Sequence, residues 1–227
     1  MSVYPGALSI LKSVAGGKTL LRAAFNQSLK QLPVLQGSIA DIGGTRTPRS
    51  SYLDILRFDA ASQLTLINID PNAGADIVAD AIDLPLQDAS QTAVLCFNVL
   101  EHVADPRKAM REIGRILKPG CSAYIETPFL VRVHGHPQDY HRFTDTALRD
   151  MADQAGLVVS SMKPLLGGPF VAAAAQCQLA VPRLLFVPLA ALAVLCDALV
   201  ARVRPQYMSS WPLGYLMLCQ KPHVISS

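Results

Sequence analysis

The chain has 227 residues, 51% of them hydrophobic and 16% charged, with a formal net charge of +3 and a mean hydropathy of +0.30. That size and apolar content suffice for one α/β domain with a full core, and the mild charge, without basic runs interleaved with aromatics, argues against a nucleic-acid partner. Five cysteines (Cys96, Cys121, Cys177, Cys196 and Cys219) lie far apart with no CxxC pair, which argues for reduced thiols in a cytoplasmic protein over a disulfide framework or structural zinc.

Residues 1–36 read as a helical leader, with Leu8, Leu11, Leu20, Leu21, Phe25 and Leu29 spaced for one face. The opening residues lack a basic n-region and a cleavage site, so no secretory signal is expected. The "GGKT" at 16–19 is a poor phosphate loop, because lysine stands at position 12 where the first glycine belongs and no strand precedes it. Residues 37–227 read as one domain. "GSIADI" (37–42) is a buried strand followed by a Gly43-Gly44 turn, and "LTLINI" (64–69) is a second that ends at Asp70-Pro71. "TAVLCFN" (92–98) and "CSAYIET" (121–127) are a third and fourth. Between them, "ADPRKAMREIGRILKPG" is an amphipathic helix with Asp105 as N-cap, Pro106 at its first position and a Pro119-Gly120 turn at its end. A capped helix at 144–156, a strand at 157–163, an apolar stretch at 164–205 and a last strand at 214–222 follow.

Strands separated by helices build a mainly parallel sheet with helices on both faces, and ligands bind such sheets at the carboxyl ends of the strands. That rim carries Asp41 to Thr47, Asp70, Asp80 and Asn98 to His102. G-x-G-x-x-G is absent, which disfavours a nicotinamide dinucleotide. Asp70 can accept hydrogen bonds from both hydroxyls of an adenosine ribose, Asp80 can accept from an adenine amino group, and Asp41 suits an ammonium or sulfonium. Three carboxylates around one pocket favour a cationic cofactor. Each also has a plain structural role open to it: a turn cap for Asp41, an Asp-Pro turn for Asp70, a solvated surface position for Asp80.

From about residue 38 to 159 the sequence resembles a class I S-adenosylmethionine-dependent methyltransferase of the type-11 group. The segments that carry the likeness are "IADIGGTRT", "INIDPN", "IVADAIDLPLQD", "CFNVLEHVADPRKAMREIGRILKPG" and "HPQDYHRFTDTALRDMADQAG". The resemblance implies a Rossmann-like fold with a seven-stranded sheet and S-adenosylmethionine as cofactor. It implies that Asp41, Gly43 and Gly44 form the cofactor loop, that Asp70 holds the ribose, that Asp80 and Ala81 face the adenine, and that Asn98 lines the methionine end beside Val99. One departure is Thr45, where such enzymes often carry a further glycine, followed by Arg46 and Thr47.

The stretch "PFLVRVHGHPQDYHRFT" (128–144) gathers His134, His136 and His141 around Asp139, Tyr140 and Arg142. It follows the fourth strand and so hangs over the rim. Methyl transfer from a sulfonium is an in-line displacement in which the protein aligns donor and acceptor, and a hydroxyl or amine acceptor must also lose a proton. His134 is the first choice for general base, with Asp139 as its orienting partner or substitute and His141 as a further catalytic candidate. His136, Tyr140 and Arg142 are candidate acceptor contacts. Alternatively Arg142 pairs with an aspartate and pins the loop, with Tyr140 and Phe143 as anchors. His134, His136, Asp139 and His141 could also ligate a metal, although no metal is expected, and His102 reads as structural.

The apolar segment 164–205 leaves three readings open: helices over the acceptor site, a homodimer contact, or a patch in the membrane interface, where Arg183, Arg202 and Arg204 suit an anionic leaflet. Two full membrane spans are not expected, since residues 184–196 are short, carry Pro188 and run into Asp197. The expected function is methyl transfer to a small-molecule or glycan acceptor, at a hydroxyl oxygen, with a lipid-linked saccharide within that class. The alternatives are a lipophilic acceptor such as a quinone or lipid precursor, and a non-catalytic module that binds a membrane or partner. A cytoplasmic location is expected, with peripheral contact on the inner membrane face under the third reading of the apolar segment.

Overall fold

The computed structural model of the chain describes residues 6–46, 52–135 and 138–223. Its sheet has seven strands: β1 (Ser38–Ile42), β2 (Gln63–Asn68), β3 (Ile77–Val78), β4 (Gln91–Phe97), β5 (Leu117–Pro128), β6 (Val158–Leu165) and β7 (Gly214–Gln220). They lie in the order β3-β2-β1-β4-β5-β7-β6. β1 pairs in parallel with β2 and β4, β2 with β3, and β4 with β5. β7 runs the other way. Gly120 N, near the start of β5, donates to Lys221 O just past the end of β7 at 2.7 Å. Leu213 N, just before β7, donates to Leu165 O at the end of β6 at 3.2 Å.

Successive side chains of a strand point to opposite faces, so unbroken burial along a strand means that both faces are covered. Ile39 to Ile42 in β1 and Ala93 to Phe97 in β4 are buried without a break. Each large aliphatic side chain removed from water there stabilises the fold by about 1.5–3 kcal/mol. In α3 (Pro106–Ile116) the buried residues Ala109, Met110, Ile113 and Ile116 form one stripe. Its amino end is closed by Asp105, whose side chain accepts from Lys108 N at 3.0 Å. Thr144 does the same for α4 (Asp145–Gln154), accepting from Ala147 N at 3.2 Å.

The structure departs from the sequence reading at four places. α3 ends at Ile116, and β5 begins at Leu117 rather than beyond the Pro119-Gly120 pair. Leu117 pairs with Gln91, and a register shift absorbs the Pro-Gly step, where Gly120 takes φ 77°. The two-residue strand β3 was too short to leave a pattern. The leader forms two helices, α1 (Ala7–Ala15) and α2 (Leu20–Leu29), and the threonine of "GGKT" is the N-cap of the second, its side chain accepting from Arg22 N at 3.2 Å. Finally, α6 (Arg183–Val203) continues through both Pro188 and Asp197 for 21 residues.

The chain folds into two compact units. One comprises the residues up to Gln31 together with Pro128–Val133 and Pro164–Tyr215. There α1 packs against α2 and α6, and α5 (Pro169–Cys177) packs against α6. Asp197, fully buried on α6, accepts from the amides of Phe170 at 3.1 Å and Val171 at 2.8 Å, closing the amino end of α5. The other unit comprises Leu32–Thr127, His134–Lys163 and the residues from Leu216 onward. It holds most of the sheet and every candidate site residue.

Candidate functional site

Parallel pairing aligns the carboxyl ends of β1, β2, β3 and β4: Ile42 lies beside Ile67 and Cys96, and Asn68 beside Val78. The residues that follow each strand therefore share one rim. At the end of β1, Asp41 is fully buried, and Tyr52 Oη donates to its Oδ2 at 2.7 Å. Its Oδ1 is buried and receives no hydrogen bond. Burial pushes the Asp41 carboxyl up to about 7, against the smaller lowering effect of the Tyr52 hydroxyl.

The glycine turn above it admits nothing larger. A Cβ on Gly43, which has φ 78°, would stand 2.3 Å from Val99 Cγ2, and one on Gly44 would stand 2.8 Å from Asp41 Oδ2. Asn68 Nδ2 fixes the turn by donating to Gly43 O at 3.1 Å and Gly44 O at 3.0 Å. Thr45 Oγ1 donates to Ala73 O at 2.8 Å, and Arg46 pairs with Asp76. The threonine in place of glycine thus latches the loop to the turn after β2. Thr47 lies outside the described residues.

Asp70 caps the short turn Pro71–Ala73, its Oδ1 accepting from Asn72 N at 2.9 Å and Nδ2 at 3.1 Å. Asp80 Oδ1 accepts from Ile82 N at 3.1 Å, beside buried Ala81. The turn role read for Asp70 is therefore realised, while Asp80, read as a solvated position, caps a turn as well, each through one oxygen. Asn98 takes φ 55° at the end of β4, and its side-chain amide is spent on Glu126 of β5. An acid-lined rim with a buried carboxylate oxygen lacking a donor fits a cofactor that brings a cationic ammonium.

The second cluster gathers beside the short turn Leu100–His102 that follows β4. Tyr140 N and His141 N donate to Glu101 O at 2.8 and 3.2 Å, which docks residues 140–141 on that turn. Arg142 grips Asp139 with two nitrogens, and Asp139 also accepts from His134 N at 2.7 Å. The Arg142 hydrogen bond, the His134 amide and the guanidinium charge hold the Asp139 carboxyl well below the usual carboxylate range. Asp139 is therefore an orienting anion and a poor proton acceptor, and the loop-pinning role of Arg142 is realised. His134 Nδ1 lies 3.4 Å from Asp139 Oδ2, and its Nε2 lies 3.9 Å from Glu101 Oε1. His102 Nε2 is 3.6 Å from the same Oε1, and its Nδ1 contacts Gln138 O.

Glu101 lies within the rim segment 98–102 marked by the sequence, which gave it no role of its own. It is fully buried, and neither carboxyl oxygen receives a hydrogen bond, the two histidine Nε2 atoms standing at 3.6 and 3.9 Å from Oε1. Burial pushes its carboxyl up to about 8, with the Arg142 charge opposing. The signal was a glutamate in the apolar context of "VLEHV". Glu101, His102 and His134 also place one donor atom each within 4.8 Å of one another, a set that a divalent ion could use. The metal reading on His134, Asp139 and His141 meets a different arrangement, because Asp139 is committed to Arg142. The His141 ring makes tilted contacts with Phe143 at 5.3 Å and Tyr140 at 5.9 Å, while Tyr140 itself is 52% exposed. His136 lies outside the described residues.

Comparison with known proteins adds to this geometry. Residues 50–125 match the family model Methyltransf_11, described as a methyltransferase domain. A Haloferax volcanii chain solved in complex with the Trm112 methyltransferase activator superposes with a TM-score of 0.58 at 21% identity, over 90% of each chain. An S-adenosylmethionine-dependent methyltransferase from Mesorhizobium loti superposes at 0.54 and 14% identity, over 91% of this chain and 99% of that one. The [4+2]-cyclase SpnF superposes at 0.58 and 19% identity, over 95% and 92%. At these identities the structural likeness is one of fold.

Proposed function

Because the chain is a class I S-adenosylmethionine-dependent methyltransferase, we propose that it methylates a hydroxyl oxygen of a small-molecule or glycan acceptor brought to the Glu101–His134 cluster. The cofactor supplies the electrophilic methyl carbon. Asp41 and the Gly43-Gly44 turn would take its ammonium end, Asp70 the ribose and Asp80 with Ala81 the adenine. Asn98, tied to Glu126, shapes the methionine end through its backbone rather than its amide.

The observation that carries the acceptor reading is the line Asp139–His134–Glu101, in which a part-exposed imidazole stands between two buried carboxyls. With Nδ1–H of His134 turned to ionised Asp139, Nε2 is left to take the acceptor proton as the oxygen attacks. The imidazolium so formed faces Asp139 on one side. Glu101 keeps its own proton at neutral pH and so does not capture the charge. His141 lines the segment through its ring, and Tyr140 and Arg142 flank the acceptor, Arg142 chiefly by holding Asp139. His136 belongs to the same proposed acceptor surface.

A lipid-linked or lipophilic acceptor is the second reading, favoured by the exposed apolar face of α6. The test is incubation with methyl-labelled cofactor and panels of free sugars, lipid-linked saccharides, quinols and amines. A labelled methyl ether on a saccharide is expected. Label on amines alone, or on apolar compounds alone, would refute the sugar hydroxyl.

A further inference from the structure

The two units differ sharply in charge. The unit formed by the leader, Pro128–Val133 and Pro164–Tyr215 carries eight lysine and arginine residues against one acid, Asp197. That acid is buried and bonded to the start of α5. The sheet unit has the opposite balance, twelve basic against sixteen acidic residues. The whole chain's mild charge conceals this asymmetry.

The basic unit also carries the largest uncovered apolar face among the described residues. α6 turns Phe186, Ala190, Ala193 and Asp197 inward. On its outer side Leu184 is 87% exposed, Leu195 64%, Leu199 59% and Val203 79%, with Leu185 and Leu192 between them. At 100° per residue these fall within an arc of about 100°, opposite the buried four. Arg183 at one end and Arg202 and Arg204 at the other are exposed, so cations frame the stripe.

We infer that this unit docks on an anionic lipid surface, with α6 lying in the plane of the interface. Apolar side chains enter the acyl boundary while arginines meet phosphates at the headgroup level. A second copy is the poorer occupant, because pairing this face would bring two strongly basic units together with no exposed acid between them. Spanning is also disfavoured, although α6 is long and apolar enough to cross a membrane by length and composition. Inserting it would strip the cap from α5 and carry the Asp197 carboxyl into hydrocarbon. The inference deepens the lipid-linked reading of the acceptor, but it concerns residues of the other unit and stands without methyl transfer.

The test is sedimentation of the full chain with vesicles, with no cofactor present. Binding to vesicles of phosphatidylglycerol and phosphatidylcholine is expected, with little to phosphatidylcholine alone, and it should weaken as salt rises. A Leu192→Glu, Leu195→Glu variant should lose binding while keeping its far-UV circular dichroism. An Arg202→Gln, Arg204→Gln variant, which leaves the apolar face intact, should bind roughly thirtyfold more weakly, at about fivefold per arginine. No binding by the full chain, binding indifferent to the leucine variant, or retention through an alkaline carbonate wash would overturn the inference. So would a dimer in sedimentation velocity that the leucine variant dissolves.

Discussion

Arg142 and Asp139 form a two-nitrogen ion pair, and the Asp139 Oδ2 held by Arg142 at 2.7 Å also receives the His134 amide at 2.7 Å. One carboxylate thus sets both the backbone and the ring of His134. Removing it should disturb catalysis without touching the cofactor rim. Asp139→Asn is expected to lower turnover by about 10- to 100-fold, and His134→Ala by about 10²- to 10⁴-fold, the usual range for a lost general base. Calorimetric affinity for S-adenosylmethionine should stay unchanged in both. Wild-type turnover in His134→Ala would remove His134 from the role.

Asp41 and Glu101 make a pH prediction with a definite sign. In the folded chain their carboxyls sit at about 7 and about 8, against ordinary values of 3.8 and 4.5. The folded state keeps protons that the unfolded chain has already released. Stability is therefore lost as pH rises from about 4 to 8, by at most about 1.4 kcal/mol per pH unit for each group, and levels off above. Asp139, held low, works in the opposite sense, but its contribution disappears only below about pH 4. Thermal unfolding of Asp41→Asn should show a shallower decline between pH 5 and 8 than the parent. Cofactor affinity should climb towards pH 7 in the parent, as Asp41 ionises beneath an ammonium, and stay flat in the variant.

His134 and Glu101 of the proton-transfer line also belong, with His102, to the set that could hold an ion, so chelation discriminates the two. A base needs no metal, and turnover after exhaustive dialysis against a chelator should match that of the untreated protein. Loss of turnover that zinc or manganese restores would convert Glu101, His102 and His134 into ligands and retire the base.

Asp197 offers a prediction away from the chemistry. Asp197→Ala leaves two amides of α5 unmatched in a buried setting and should cost about 1–3 kcal/mol. Denaturant unfolding would detect this as a lower midpoint, and an unchanged midpoint would show that the cap contributes nothing.

What could be read beforehand follows the range of the forces involved. Asp105 and Thr144 announced their helices because a cap acts over three residues, and the rim was foreseen because parallel strands must end on one side. The Asp139–Arg142 pair is equally local. Glu101 was given no role because its burial depends on a segment about forty residues later. The Tyr52–Asp41 hydrogen bond and the Asn98–Glu126 pair were hidden for the same reason. Asp197 looked like the end of an apolar run because its partners, the amides of Phe170 and Val171, leave no mark on composition. Thr45 looked like damage to a glycine loop, whereas its hydroxyl secures that loop from the side.

The carboxylate that closes α5 lies 27 residues downstream of the Phe170 amide it receives. Gly168 is shaped to admit it, since a Cβ there would stand 2.5 Å from Asp197. The first of these two helices therefore carries no stopper of its own within its sequence. Its opening amides are matched only once the second helix folds back on it, which couples the closing of one to the docking of the other.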